Sequence, residues 1–136
     1  MNREKRYIVF LIFVLYLAIL LKYTVFRVGW NSGSFFSGRF NFELMSSYQL
    51  LISHKAWSRV IYLFGGNIIG FIPFGIYIRG VCKWKIITVT FVGFLFSVFI
   101  ELMQFVLGTG ITETDDLILN TAGVFLGACI SKMSGN

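Results

Sequence analysis

The chain has few of the residues that build metal sites, disulfide frameworks or solvated surfaces. Its 136 residues include two Cys, one His and one Pro, and only 13% are charged. The single histidine, His54, has no Cys or His at ligand spacing, so we expect no zinc site. Soluble domains average about a quarter charged residues. This shortage of charge, with a hydrophobic content of 57%, excludes an ordinary soluble domain and predicts a membrane protein.

Four apolar runs are long enough, or nearly long enough, to cross a bilayer, which takes about 20 residues for a core of about 30 Å. The last run is the shortest, since even from Asp115 it gives about 16 residues, or about 24 Å. We predict a single-domain, all-α membrane protein over residues 1–136, with an amphipathic extracellular loop at 27–59 between the first two helices. The predicted transmembrane helices span about residues 7–26, 60–78, 86–107 and 116–131.

Basic residues flank the predicted helices on one side of the membrane. Positive charges mark the cytoplasmic side, so we expect both termini in the cytoplasm. Anionic lipid at the inner surface then explains the formal net charge of +6, and no nucleic acid is needed. Cys82 and Cys129 fall at cytoplasmic helix ends, where reduced, unpaired thiols are expected. The basic residues on this side are Arg3, Lys5, Arg6, Arg79, Lys83, Lys85 and Lys132.

The third and fourth helices each carry one stripe of small and polar residues in apolar surroundings. Steps of three and four residues place such a stripe on one helix face. Lipid outside and protein inside require this arrangement, so we expect the two stripes to face each other and to pack closely. The first stripe is Gly93, Ser97, Glu101, Gln104 and Gly108, and the second is Asp116, Asn120, Gly123 and Gly127.

The second helix contains a glycine-rich stretch with one amide and the only proline of the chain. Gly66 and Gly70 are spaced for close helix approach, and Asn67 shares a face with Gly70. Pro73 removes one backbone hydrogen bond, so we predict a kink there. The polar residues that fall in the outer half of the membrane by depth are Asn67, Glu101 and Asn120.

The extracellular loop is predicted to cover the outer end of the helices as a lid. Residues 29–38 are rich in Gly, Asn and Ser, which predicts an irregular, turn-rich part. The hexapeptide RFNFEL at 39–44 alternates polar and apolar residues, which predicts an extended segment. Ser46 and Ser47 are candidate caps for a short amphipathic helix that follows. The candidate phosphate or lipid-headgroup contacts of the lid are Arg39 and Arg59.

We hypothesise that acidic and amide side chains converge in an outer-leaflet pocket beneath the lid. A carboxylate in mid-membrane costs about 3 kcal/mol, whereas one interhelical polar contact returns about 0.6 to 2 kcal/mol. Glu101 must therefore be protonated, hydrated in a cavity or paired with a cation. In the alternative interpretation the amides are interhelical hydrogen-bonding residues and Glu101 is neutral and bonded to one of them. The helix dipole then explains one carboxylate of the acidic pair, and it explains Asp115 better than Asp116. The pocket residues are Asn67, Glu101, Gln104, Asp115, Asp116 and Asn120.

Three segments of the chain carry a family resemblance: NIIGFIPFG at 67–75, ELMQF at 101–105 and DDLILNTAGVFLG at 115–127. They resemble the VanZ-like family of bacterial membrane proteins, named for a protein associated with resistance to teicoplanin. An outer segment with Arg39 and Asn41 is also similar. The chain has Leu44 where many members have Pro, and GTGITET where many have an Arg before the acidic pair. The resemblance implies a protein of the bacterial cell membrane that contributes to teicoplanin or lipoglycopeptide resistance.

We expect the pocket to bind a membrane lipid or a lipid-linked or glycan-linked component of the cell envelope. One alternative is a membrane enzyme acting on lipid-linked cell-wall precursors, with Glu101 and Asp116 as the candidate acid and base. No nucleophile with an adjacent base is visible, so binding is favoured over catalysis, and a small transporter or structural membrane module is a second alternative. No cofactor is expected, although oxygen ligands would suit Mg²⁺ or Ca²⁺. The oligomeric state is left open, because Gly123 and Gly127 could also join two copies of the chain.

Overall fold

The structure is a computed structural model that describes residues 2–26 and 35–134. Within these residues, four helices are long and apolar enough to cross a membrane. They confirm the predicted all-α membrane fold, to which the described residues add one short helix and two short strands. The helices are α1 (Arg3–Val25), α2 (Ser46–Ser53), α3 (Trp57–Cys82), α4 (Ile86–Leu107) and α5 (Thr114–Ser134), and the strands are β1 (Arg39–Asn41) and β2 (Ile111–Glu113).

Some helices are longer than predicted, because polar residues continue the helix past the end of its apolar run. α4 has the predicted bounds, and Gly108 ends it in the left-handed conformation, with φ 63°. α1 begins earlier, at Arg3, because the Asn2 side chain accepts a hydrogen bond from the backbone N–H of Lys5 at 3.3 Å and caps the helix. α5 has 21 residues, or about 32 Å at 1.5 Å each. The fourth helix is therefore not short, because polar residues continue it at both ends of its apolar run.

α3 and α5 approach each other closely along a line of glycines. A Cβ at Gly123 would lie 2.2 Å from the carbonyl oxygen of Ile68, and one at Gly127 would lie 2.1 Å from that of Ile72. From the other helix, a Cβ at Gly75 would lie 2.1 Å from the carbonyl oxygen of an α5 residue, Val124. Only glycine permits this approach. The GxxxG face of α5 is therefore used inside one chain, against α3.

α4 packs against α5 through part of the predicted polar stripe. A Cβ at Gly93 would lie 2.5 Å from a Cγ of Val124, and Asn120 Nδ2 donates a hydrogen bond to Ser97 Oγ at 2.9 Å. The stripes meet at these residues. The two glycines that follow Asn120 in the second stripe contact α3 instead, so the expectation that the stripes face each other along their whole length is wrong. Steps of three and four residues spread over an arc that two neighbouring helices can share.

α1 packs against α3 and leaves most of its apolar surface exposed, as suits a helix in contact with lipid. The rings of Phe13 and Tyr77 stack with centroids 3.6 Å apart. Leu20 Cδ1 lies 3.6 Å from the position of a Cβ on Gly70, which is therefore a packing residue, as predicted. Gly66 is not, because among the described residues no atom outside the adjoining helix backbone lies within 4 Å of its Cβ position.

α3 continues through Pro73 without interruption. Proline has no N–H, so the carbonyl of Ile69 loses its usual helical donor. The Tyr16 hydroxyl of α1 donates to the neighbouring carbonyl of Gly70 at 2.6 Å. A hydroxyl from an adjacent helix thus supports the backbone where the proline weakens it.

A short parallel ladder joins the loop after α1 to the segment before α5. β1 pairs with β2 in a register that sets Phe40 opposite Thr112. The extended segment predicted at 39–44 is thereby confirmed over β1. Its partner strand has three residues, too few to show a period in the sequence. Residues 27–34 of the predicted loop lie outside the described residues.

The net positive charge of the chain lies at one end of the helix bundle, while basic and acidic residues balance over the rest of the chain. Arg6 of α1 and Val81 of α3 line one cleft, and the Cβ position of Gly80 in α3 lies 3.4 Å from Ser131 Oγ in α5. The start of α1 and the ends of α3 and α5 therefore lie together. We name this the basic end, defined by Arg3, Lys5, Arg6, Arg79, Lys83, Lys85 and Lys132. We name the opposite end, with β1, β2 and α2, the acidic end, defined by Glu43, Glu113, Asp115 and Asp116.

Candidate functional site

Eight polar or charged side chains are buried among the described residues, and all six residues of the predicted pocket are in this set. The exposed fraction of the side chain is 2% for Glu101 and 3% for Asp116. Ionisable residues within membrane helices face the protein interior, because exposure to lipid is costly. We name this set the polar cluster: Asn67, Ser97, Glu101, Gln104, Thr109, Asp115, Asp116 and Asn120.

Asn67 and Asp116 connect α3 to the start of α5. Asn67 Nδ2 donates a hydrogen bond to Asp116 Oδ1, across 49 residues of sequence. Asp116 lies in the first turn of α5, where a carboxylate also suits the helix dipole. Both partners are more than nine-tenths buried, and a hydrogen bond shielded from water is electrostatically stronger than an exposed one. Two predicted pocket residues are thus joined directly.

Glu101 lies in the protein interior and fastens β2 to α4. Its Oε2 accepts a hydrogen bond from the backbone N–H of Glu113 at 3.1 Å. The Thr112 hydroxyl donates to the backbone carbonyl of Glu101 at 3.0 Å. The carboxylate therefore takes part in placing the strand at the acidic end.

The amides of the cluster connect further helices. Asn120 bonds to Ser97, and Gln104 Nε2 donates to the backbone carbonyl of Thr24, near the end of α1, at 2.9 Å. Interhelical hydrogen bonds of this kind hold helices together in lipid. These contacts agree with the alternative interpretation of the two amides. Two buried oxygens, Asn120 Oδ1 and Thr109 Oγ1, have no hydrogen-bond partner within residues 2–26 and 35–134.

Asp115 holds the start of α2 instead of the start of its own helix. The backbone N–H of Met45 donates to Asp115 Oδ2 at 2.8 Å and Oδ1 at 3.1 Å. Met45 occupies the N-cap position of α2 with φ 61°, and its side chain makes no capping hydrogen bond. A carboxylate suits this position because the helix N-terminus carries partial positive charge. The prediction that Ser46 and Ser47 cap the helix is therefore wrong, since a residue 70 positions away supplies the acceptor.

Three further side chains complete this attachment: those of Glu113, Ser47 and Asn41. The first two were not predicted as site residues from the sequence. The Ser47 hydroxyl donates to Glu113 Oε1. Asn41 Nδ2 donates to Ser46 Oγ at 2.8 Å and lies 3.5 Å from Glu113 Oε1. Asn41 had a signal in the family resemblance. For Glu113 the sequence showed only an acidic residue in the short link between two helices. For Ser47 it showed only the start of a short helix.

Removing the Asp115 carboxylate is expected to release α2. In Asp115→Ala the Met45 N–H loses its acceptor, and a hydrogen bond to a charged group contributes about 1.5 to 3 kcal/mol. We expect amide hydrogen exchange over residues 43–53 to speed up by about tenfold or more, and Asp115→Asn to show a smaller increase. The matched control is Glu43→Gln, which removes a charge from an exposed side chain of the same segment and should leave exchange unchanged. Equal protection in Asp115→Ala and the parent chain would contradict the attachment.

A cleft of about 270 Å³ lies beneath α2 at the acidic end. Leucines of α2 and α3 form much of its wall, to which Arg59 and Gln104 add a cation and an amide. An apolar cleft with a few polar groups is typical of sites for small molecules. We name it the lid cleft, lined by Ser47, Leu50, Leu51, Arg59, Leu63, Gln104, Gly110, Ile111 and Glu113.

A second cleft, of about 260 Å³, opens between α1 and α3. Its wall is mainly aliphatic and aromatic, and Asn67 of the polar cluster reaches it. Leu63 borders both this cleft and the lid cleft, so the two are neighbours. We name it the helix cleft, lined by Tyr16, Ile19, Leu20, Tyr23, Thr24, Tyr62, Leu63, Gly66, Asn67 and Gly70.

The predicted pocket residues are brought together, but they do not share one of these two clefts. Gln104 borders the lid cleft and Asn67 borders the helix cleft. Of the two candidate phosphate contacts, Arg59 borders the lid cleft, whereas Arg39 is exposed on β1 and borders neither cleft. The pocket residues that are packed away from both clefts are Glu101, Asp115, Asp116 and Asn120.

The buried carboxylates accept hydrogen bonds from protein groups. The donors include the Asn67 amide and the backbone N–H groups of Met45 and Glu113. In the described part of the chain, no group of three or more His, Cys, Asp or Glu side chains is placed to hold a metal ion. Cys82 and Cys129 are both free thiols.

The fold and the site define a multi-pass helical membrane protein with buried acidic and amide side chains toward one end. A family model described as VanZ/LLP1 matches residues 8–134. The chain therefore belongs to the VanZ/LLP1 family, which confirms the resemblance of its motifs. Comparison with curated proteins and with solved structures gave no match.

Proposed function

We propose that this protein binds a lipid-like or glycan-linked component of the cell envelope at its acidic end. The lid cleft carries the proposal, because the cation of Arg59 and the amide of Gln104 border it beside leucine walls, while the Glu113 carboxylate in the same lining is bonded to Ser47 and Asn41. A guanidinium pairs well with a phosphate through parallel N–H donors. The leucines suit the hydrocarbon next to such a headgroup. The ligand class is thus an anionic amphiphile.

The helix cleft offers a place for the apolar part of the same ligand. It adjoins the lid cleft at Leu63. A hydrogen bond from Gln104, which borders the lid cleft, to Thr24, which borders the helix cleft, also connects the two walls. A headgroup in the lid cleft and a chain along α1 and α3 would therefore occupy neighbouring spaces. This arrangement supports a lipid-linked ligand over a purely soluble one.

We propose further that the acidic end faces the outside of a bacterial cell membrane and that both termini face the cytoplasm. The separation of charge between the two ends supports this orientation, because positive residues mark the cytoplasmic side. The lid cleft would then meet the outer leaflet. Membership in the VanZ/LLP1 family supports a contribution to resistance against teicoplanin-like lipoglycopeptides.

A pair of arginine substitutions tests the lid cleft. We expect Arg59→Gln to weaken binding of a fluorescent polyprenyl monophosphate by about tenfold or more, as loss of a charged hydrogen bond predicts. Arg39→Gln removes the same charge from an exposed position outside the cleft and should change binding by less than about twofold. The measurement is a titration of the purified full chain in nanodiscs, with the uncharged polyprenol as the ligand control. Similar losses in both variants would contradict a site in the lid cleft.

The same two variants test the resistance part in cells. Expression of the parent chain in a teicoplanin-susceptible bacterium is expected to raise the inhibitory concentration of the antibiotic, Arg59→Gln to abolish the rise, and Arg39→Gln to keep it. No rise with the parent chain at normal membrane levels would contradict the resistance proposal alone. Turnover of a labelled lipid-linked cell-wall precursor by the purified protein, lost in Glu101→Gln, would replace the binding proposal with a membrane enzyme.

A further inference from the structure

A third cleft lies at the basic end, far along the helices from the lid cleft. It has a volume of about 430 Å³ and lies between the start of α1 and the end of α3. The stacked rings of Phe13 and Tyr77 join these helices, and the cleft opens beyond this pair toward the helix ends. We name it the basic cleft, lined by Arg3, Arg6, Tyr7, Val9, Phe10, Tyr77 and Val81.

The lining of the basic cleft divides into a polar and an apolar part. Arg3 and Arg6 are three residues apart on α1, so their side chains are neighbours on one helix face. Both are exposed at the helix end, where guanidinium groups can present paired N–H donors to a phosphate. Val9 and Phe10 continue the lining one turn further into the apolar run of α1. A phospholipid would therefore find charged donors for its headgroup at the helix end, and an apolar surface for the first part of its acyl chain one turn further along α1.

The formal charge of the chain is concentrated at this end. The seven basic residues that define the basic end are accompanied by one acidic residue, Glu4, which gives this end a formal charge of +6. The rest of the chain has five basic and five acidic residues, and its formal charge is therefore zero. Basic pockets between transmembrane helices bind the headgroups of anionic lipids. The positive charge of the basic end thus complements the headgroup of an anionic lipid and not that of a zwitterionic lipid.

We infer that the basic cleft holds the headgroup of one anionic phospholipid, with Arg3 and Arg6 on its phosphate and the acyl chain against α1 and α3. The lipid occupant is favoured over a soluble anion because the apolar residues of the cleft continue into the membrane-spanning part of α1. This site is independent of the ligand proposed for the acidic end. Loss of one site should leave the other intact.

Native mass spectrometry of the full chain, released from mixed phosphatidylglycerol and phosphatidylcholine nanodiscs, tests this inference. We expect one retained phosphatidylglycerol molecule per chain. In the double variant Arg3→Gln and Arg6→Gln, the retained fraction should fall about tenfold further than in the matched control Lys5→Gln and Lys132→Gln. The control removes the same charge from the same end, from side chains that do not line the cleft.

The other outcomes of this experiment overturn the inference. Equal losses in the two double variants would mean that the lipid is attracted by diffuse charge and not by a site. Equal retention of phosphatidylcholine and phosphatidylglycerol would remove the charge selection. Displacement of the bound lipid by millimolar inorganic phosphate would assign the cleft to a soluble anion. Because all four substituted side chains are exposed at the helix ends, both variants are expected to fold.

Discussion

Replacing Gly123 and Gly127 together by alanine is expected to lower the free energy of unfolding by about 3 kcal/mol or more. The new Cβ atoms would lie 2.2 Å from the carbonyl oxygen of Ile68 and 2.1 Å from that of Ile72. These oxygens belong to the backbone of α3 and cannot rotate away, so α3 and α5 must move apart. The higher helix propensity of alanine, about 1 kcal/mol per site, offsets only part of the loss.

Gly66→Ala is the matched control for this prediction. It makes the same change within α3, but in the described part of the chain no atom beyond the adjoining helix backbone lies within 4 Å of the new Cβ position. Its stability should therefore stay unchanged or rise slightly. The measurement is unfolding of the purified chain in mild detergent by titration with sodium dodecyl sulfate, followed by circular dichroism. If the double variant proved as stable as Gly66→Ala, the close approach of α3 and α5 would be wrong.

The second large effect is expected from the hydrogen bond between Asn67 and Asp116. In Asp116→Ala the buried Asn67 amide loses this charged acceptor, and a hydrogen bond to a charged group contributes about 1.5 to 3 kcal/mol. In Asn67→Ala the carboxylate loses this donor inside the bundle, with a similar cost. The double variant removes both partners and should lose less than the sum of the single variants. We expect a coupling energy of about 1 to 2 kcal/mol, at the upper end of values for interhelical hydrogen bonds in membrane proteins.

The control cycle pairs Asn67→Ala with Gln104→Ala. Gln104 bonds to Thr24 on α1, whereas Asn67 bonds to Asp116 on α5. Because these two hydrogen bonds lead to different helices, we expect less coupling in this pair than between Asn67 and Asp116. The measurement for both cycles is again detergent unfolding. Additive losses in the Asn67 and Asp116 cycle would mean that the two side chains do not stabilise each other.

These contacts change the hypothesis that acidic side chains line the pocket. Glu101 fastens β2 to α4, and Asp115 with Glu113 fastens the start of α2. Glu101 and Asp115 therefore act behind the walls of the lid cleft, where they position the elements that enclose it, whereas Glu113 itself lines the cleft and is bonded there to Ser47. Arg59 and Gln104 are the polar groups that border the cleft from α3 and α4. The proposed ligand would thus contact the arginine and the amide, while the acids hold the lid.

Much of the fold follows from local sequence signals. Transmembrane helices are set by runs of apolar residues, and α4 has the predicted bounds because Lys85 and Gly108 flank its run directly. The burial of Glu101 and Asn120 also follows, since polar residues at helical spacing must turn away from lipid. Two features do not follow from local sequence signals: the strand β2, and the carboxylate that accepts a hydrogen bond at the start of α2. They depend on pairs such as Met45 with Asp115, which are 70 residues apart and have no periodic signal.

By itself, the sequence determined that four apolar helices span the membrane and that their small and polar faces turn inward, because the energy of exposing each residue to lipid depends mainly on that residue. The tertiary structure decided which helix each face meets. It packed Gly123 and Gly127 of α5 against α3, joined Asn67 to Asp116, and set Arg59 beside a cleft under α2. These choices depend on backbone distance and on the direction of individual hydrogen bonds, and both arise only when distant segments pack together.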